Sequence, residues 1–301
     1  MVVNDSGVAG EGRQGSMLAG SWTPKYHWLV GSLAVLMMVP LSVLYMNMHH
    51  ATLAGVLSTE AYWQGQVSLF IYLNQLFTAW PAGFLYNLTL LGDAAVLLPL
   101  AMLGGYCRAQ VIGALMATLP IGALMSSVGK KLFAMPRPGA VLDANEFNAI
   151  GELLTGHSSL PSGHSLTYFA VGIALLVTWR PIWHTGRDKW LGVLALGVLF
   201  GLCFSRVAVG AHWPLDLLVG GSLGTMAGWI GATLANKYTH WWQAVVYGKG
   251  RWLLMLGMAL WCWALVQRTP HVPYNPIVIY LAALACIAVI YGLLTSAKAP
   301  K

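Results

Sequence analysis

Eight apolar stretches recur along this chain, most of them near the length that a helix needs to cross a bilayer. They run roughly over 28–46, 84–103, 111–128, 166–182, 191–205, 215–234, 252–266 and 277–294. A hydrocarbon core about 30 Å thick takes about 20 residues of helix, because every backbone polar group must be satisfied inside the segment. The fifth and seventh stretches are short for this task. Composition agrees: 57% of residues are hydrophobic and 8% charged, against about 25% charged in a soluble domain. The pattern predicts an all-α, polytopic membrane protein.

The net charge of +7 would point to nucleic acid in a soluble protein. No run of basic residues supports that, and loops that face anionic lipid account for it. The expected partners are therefore the bilayer and a lipid, with no nucleic acid. Cys107, Cys203, Cys262 and Cys286 lie in or beside apolar segments without metal-ligand spacing and read as small packing side chains. Residues 1–24, rich in Gly and Ser, read as a disordered tail. The first apolar run lacks the marks of a cleaved signal peptide and reads as a retained span. The polar-punctuated stretch 61–80, with Gln64, Gln66, Asn74 and Gln75, reads as an interfacial helix.

Basic residues set an orientation. Arg13, Lys25, Arg108, Arg180, Arg187, Lys189, Lys237, Lys249, Arg251, Lys298 and Lys301 all fall on one side of the eight-span arrangement. The positive-inside rule makes that side, with both termini, cytoplasmic. The remaining five, Lys130, Lys131, Arg137, Arg206 and Arg268, fall on the other face.

Three segments on that outer face carry chemistry. Lys130 precedes Arg137-Pro138, Pro161-Ser162-Gly163-His164 opens the fourth span, and Ser205-Arg206 leads to His212 and Asp216. A phosphate needs its charge stabilised where it spreads in the transition state. Glu60, Asp143, Glu146, Glu152 and Asp216 are too scattered along the chain for a metal cage, so no metal or other cofactor is expected. Fixed cations are present instead: Arg137 and Arg206 for bidentate contacts and Lys130 for a point charge. Ser162 is a good N-cap, and Gly163 lets an anion approach the helix N-terminus. Pro214 favours the first position of the next helix, placing His212 just outside it and Asp216 in its first turn. There the carboxylate can hold the Nδ1 proton and leave Nε2 nucleophilic.

These segments resemble the three-part signature of the type 2 phosphatidic acid phosphatase superfamily, with every fixed position present. Eleven fixed residues at about one in twenty each make a chance match rarer than about one in a million. The resemblance covers about 28–234 and implies a six-helix lipid phosphatase core at 25–236, with residues 237–301 adding two C-terminal transmembrane helices. It implies that His212 attacks phosphorus to form a phosphohistidine, oriented by Asp216, and that His164 protonates the departing oxygen and then activates water. It also implies that Lys130, Arg137, Ser162, Gly163 and Arg206 hold the phosphoryl oxygens. The expected activity is metal-independent hydrolysis of a lipid phosphate or diphosphate at the periplasmic or extracytoplasmic face of an inner or plasma membrane. Transfer to a lipid hydroxyl is the alternative, and a non-catalytic lipid-binding or transport role is a more remote one.

Other residues have ordinary readings. Lys131 suits a helix C-terminus, His157 a solvated loop, and His49 and His50 an interface. Asp93, inside the second span after Gly92, reads as an interhelical hydrogen-bonding group, although acids within spans invite a functional role.

Overall fold

The computed structural model describes residues 59–105, 108–178 and 186–295. The disordered tail, the first span, His49, His50 and Cys107 lie outside them. Among the described residues the regular secondary structure is all helical, with no strand. The helices are α1 (Thr59–Gln64), α2 (Val67–Gln75), α3 (Ala82–Leu90), α4 (Ala94–Gly105), α5 (Ala109–Phe133) and α6 (Pro138–Val141). There follow α7 (Gly163–Thr178), α8 (Gly186–Ala208), α9 (Pro214–Lys237), α10 (Thr239–Tyr247), α11 (Arg251–Arg268) and α12 (Ile277–Thr295).

Four segments are long and apolar enough to cross a membrane: Ala109–Val141, Trp190–Ala208, Pro214–Lys237 and Ile277–Thr295. Two bent pairs qualify when each is joined, α3 with α4 at 69° and α10 with the α11 segment at 71°. Large apolar side chains such as Leu194 on α8, Leu253 on α11 and Leu284 on α12 remain exposed, as lipid contact requires. The chain is a polytopic all-α membrane protein.

Three details differ from the sequence expectation. The fifth stretch lies in a 23-residue helix, α8, and the seventh in an 18-residue one, α11. Hydropathy stops at Arg206 and Arg251, whereas backbone hydrogen bonding continues through them. The second stretch is two helices, not one. They part at Leu91-Gly92-Asp93, where Asp93 Oδ1 accepts from Ala95 N at 2.9 Å and caps α4. The 61–80 stretch is likewise two helices, and it buries Phe70 and Asn74 completely.

The centre of the fold is α9, packed most closely on α7 and then on α5. The reason is a row of glycines one turn apart. A Cβ on Gly220, Gly224 or Gly228 would strike the carbonyl oxygens of Ser162, Leu166 and Ala170 in turn. Without side chains there, α7 and α9 meet backbone to backbone, the small-residue packing common between membrane helices. This contact brings the N-terminus of α7 beside that of α9.

Candidate active site

Four helix ends converge at one end of the bundle. Lys130 lies in the last turn of α5, and Arg206 in the last turn of α8. Gly163 and His164 open α7, and Asp216 lies in the first turn of α9. Alternating helix direction puts Arg108, Arg187, Lys237 and Arg251 near the opposite ends.

The turn from Arg206 to His212 depends on Gly210. Its φ of +74° is left-handed, and a Cβ there would meet Phe147 and the Asn148 carbonyl. The chain then folds back so that Ala211 N donates to Arg206 O at 2.9 Å. Trp213 is fully buried. Its Nε1 donates to Pro136 O at 2.8 Å, tying the α9 N-terminus to the turn that carries Arg137.

His212 is 2% exposed. Its Nδ1 lies 3.1 Å from Asp216 Oδ2, and its Nε2 lies 3.3 Å from Arg137 Nη1. A guanidinium can only donate, so Nε2 presents its lone pair and the ring proton sits on Nδ1, facing the carboxylate. Burial, then the charges of Arg137, Arg206 and Lys130, hold this imidazole well below its ordinary pKa of 6.5, and it stays neutral. Asp216 is completely buried but well solvated by donors. Its Oδ2 accepts from Ser159 Oγ at 2.6 Å and Trp213 N at 2.9 Å, and Tyr62 donates to its Oδ1. Burial and the neighbouring carboxylate raise the Tyr62 phenol well above its usual range, so it remains a donor.

The cations are held rigidly. Arg137 Nη1 also donates to Ala211 O at 3.0 Å, and Nη2 to Ser158 O at 3.3 Å. Arg206, 6% exposed, donates from Nη1 to Thr89 Oγ1 at 2.6 Å, while its buried Nε has no partner among the described residues. An orphaned charged donor of this kind costs stability unless an anion completes it. Lys130 Nζ lies 3.7 Å from the place a Gly163 Cβ would take, which sets the ammonium directly beside the α7 N-terminus.

Ser162 is the cap of α7: its Oγ accepts from Ser165 N at 3.3 Å and Ser165 Oγ at 3.1 Å. Its hydroxyl proton is thereby left for another acceptor. The Ser162 backbone N–H donates to Asp216 O at 3.1 Å, so the free amides of this helix end are those of Gly163 and His164. His164 is half-buried, beside Gly92, whose Cβ would lie 2.7 Å from the His164 Cβ. Burial acts on its ring first, and then the charges of Arg206, His212, Lys130 and Arg137. Below it a cavity of about 290 Å³ runs between α4, α5 and α7, past Leu98, Leu119, Leu166 and Val171.

All eight residues singled out in sequence therefore lie at one end of the bundle. Lys131 and His157 are exposed, as their ordinary readings require. Cys203 and Cys286 are buried and unpaired. Asp143, Glu146 and Glu152 are exposed, and Asp93 pairs with Arg268. Sequence reasoning missed Tyr62, Ser159, Thr89 and Asn74. Asn74 Nδ2 donates to the carbonyls of Asn148, Val207 and Ala208, binding α2 to the end of α8. A polar residue at 74 in an apolar stretch was the available signal, whereas Tyr62 and Ser159 have none because their partner is 154 and 57 residues away.

Residues 110–239 match the family model described as the PAP2 superfamily. An undecaprenyl-diphosphatase of Sulfolobus acidocaldarius is 30% identical over 53% of this chain and 73% of its own length. A lipid A 4'-phosphatase of Bacteroides thetaiotaomicron is 28% identical over 39% of this chain and 53% of its own. A lipid A 1-diphosphate synthase of Escherichia coli is 26% identical over 49% and 62%. The chain thus spans about half to three quarters of the length of these relatives. With the histidine, carboxylate and cations gathered at one set of helix ends, and with relatives of this kind, the chain belongs to the PAP2 superfamily.

Proposed function

We propose that the protein hydrolyses a lipid phosphate or diphosphate through a phosphohistidine on His212. The observation that carries this reading is the imidazole held by Asp216 on Nδ1 with Arg137 beside Nε2, so that the Nε2 lone pair is free for phosphorus once Arg137 turns its donation to a phosphoryl oxygen. Nε2 attacks phosphorus as the bond from phosphorus to the lipid oxygen breaks. His164, which takes up a proton when the anionic phosphate enters among these cations, gives that oxygen the proton. Water then gives a proton back to His164 and attacks phosphorus, and the P–N bond breaks to return neutral His212 and free phosphate. Lys130, Arg137 and Arg206, with the Ser162 hydroxyl and the Gly163 amide, hold the phosphoryl oxygens and oppose the charge that develops on them. The cavity below His164 has apolar walls suited to the first carbons of the lipid chain. Each carboxylate near the site already has its own donors or cation, which supports charge stabilisation by the fixed cations rather than by a metal.

The basic residues near the far ends of the helices favour a cytoplasmic location there. The site then faces the periplasm or exterior of an inner or plasma membrane, and substrate reaches it from the outer leaflet.

The test is phosphate release by the purified full chain against a panel of lipid phosphates and diphosphates, with no acceptor lipid. Release that survives EDTA, is blocked by vanadate and is abolished in His212→Ala is the expected result. Phosphorylated acceptor lipid formed with no free phosphate would favour a transferase, and one relative is named a lipid A 1-diphosphate synthase. Full loss in EDTA with recovery in Mg²⁺ would overturn the metal-free mechanism.

A further inference from the structure

The C-terminal hairpin of α11 and α12 lies beyond the family match, which ends at residue 239, yet it is fastened to one particular place. That place is the break between α3 and α4. Arg268, at the end of α11, pairs with Asp93 in the break. Trp261, two turns back along α11, donates from Nε1 to Ala95 O at 2.9 Å. Where α12 begins, Asn87 Nδ2 donates to Asn275 O at 2.8 Å, and Val278 N donates to Asn87 Oδ1 at 3.2 Å. Tyr86 and Tyr274 stack at 5.2 Å between ring centroids.

The other side of that break touches two groups of the site. Gly92 rests on His164 and Tyr168 so closely that a Cβ would sit 2.7 and 2.8 Å from them. Tyr168 OH donates to Leu88 O at 2.8 Å. Thr89 receives the Arg206 guanidinium at 2.6 Å. The segment 88–93 is therefore a thin wedge, with the hairpin on one side and His164 and Arg206 on the other. At its end the backbone tightens from the α pattern to bonds of Gly92 N to Thr89 O at 2.9 Å and Asp93 N to Leu90 O at 3.0 Å. The two helices bend by 69° there, so the α-helical ladder does not carry through to fix the angle, and the groups the segment leans on do. Asp93 is well placed for this, because one oxygen caps α4 while the other takes Arg268. A carboxylate facing a cavity beside lipid is costly without such a cation.

We propose that Arg268 is a positioning residue for catalysis: through Asp93 the hairpin fixes the α3–α4 wedge, and the wedge fixes His164 for its proton transfer to the leaving oxygen. This rests on the phosphatase reading above. Arg268 and Asp93 take no part in the bonds made or broken.

The readout is dependence on the leaving group. A lipid alkyl monophosphate leaves as a poor alkoxide and needs the His164 proton, whereas p-nitrophenyl phosphate leaves as a stable phenolate and needs it little. In the full chain, Arg268→Gln and Asp93→Asn are expected to lower kcat on the alkyl phosphate by about 10-fold, a loss of about 1.4 kcal/mol in transition-state stabilisation. KM should stay within about twofold on the same scale of error, and kcat on the aryl phosphate should fall far less. Arg268→Lys, which keeps the cation, should recover most of the loss. Equal losses on both substrates, a change confined to KM, no loss at all, or failure of all three variants to fold as judged by thermal melting would each overturn the proposal. If the unaltered chain released no phosphate from either substrate, the phosphatase reading itself would be the one to fall.

Discussion

If His212 is the nucleophile, its buried imidazole should set the acid limit of activity. His212 has its pKa held well below 6.5 by burial and the nearby cations, and kcat/KM reports groups of the free enzyme. Activity measured as kcat/KM should therefore persist as pH falls through 6.5 and fail only at distinctly lower pH. An acid limb at or above 6.5 would contradict a neutral His212. Stability has the matching sign. Below 6.5 the unfolded chain binds a proton that the native imidazole refuses, so this residue's contribution to stability declines as pH falls. Asp216 depends on donors that no motif announces. Ser159→Ala or Tyr62→Phe leaves one oxygen of a buried carboxylate short of a partner, at a cost of about 1–3 kcal/mol. A lowered melting temperature should accompany a drop in kcat of about tenfold, and an unchanged melt would sink the assigned network. The eight motif residues were legible because their chemistry is carried by type and spacing. Tyr62, Ser159 and Thr89 were not, since a hydroxyl acquires its meaning from whatever the fold sets opposite it.

Among the elements, α7 and α9 matter most, because their contact sets the distance between the two histidine-bearing helix ends. Gly224→Ala drives a methyl group into the Leu166 backbone, which has no flexible end to move aside. The expected cost is about 1–3 kcal/mol of overpacking, with loss of phosphate release despite an intact set of catalytic side chains. Gly201→Ala and Gly257→Ala are the counterpart. A Cβ at either position meets nothing within 4 Å, and both lie inside helices, so each should stabilise by about 0.4–1 kcal/mol. Thermal melts of the three variants decide the point, and equal shifts would refute the close-contact reading. The spacing of Gly220, Gly224 and Gly228 stands in the chain but was not singled out in the sequence, because spacing alone does not say which helix it meets. The break at Gly92-Asp93 was marked only by a single acid inside an apolar stretch, which does not distinguish a bend from an interhelical hydrogen bond.

On the scale of the whole molecule, the functional end and the basic end are opposite, and labelling can test which faces outward. In a background lacking the four cysteines, His157→Cys should react with a membrane-impermeant maleimide in intact cells. Lys249→Cys, exposed toward the other end, should react only after permeabilisation, and the reverse pattern would invert the orientation. Membrane residence, helix class and the identity of the charged site residues all followed from the linear order of side chains. Each rests on local quantities: transfer of apolar groups out of water, hydrogen bonding within a turn, and the fixed charge of a residue type. Partnership across the bundle was of another kind. That Asp216 takes Tyr62 and Ser159, that Arg206 leans on Thr89, and that the last two helices brace the wedge beside His164 emerged only once the helices were packed. Such contacts join residues far apart in the chain, where close packing rather than sequence proximity chooses neighbours.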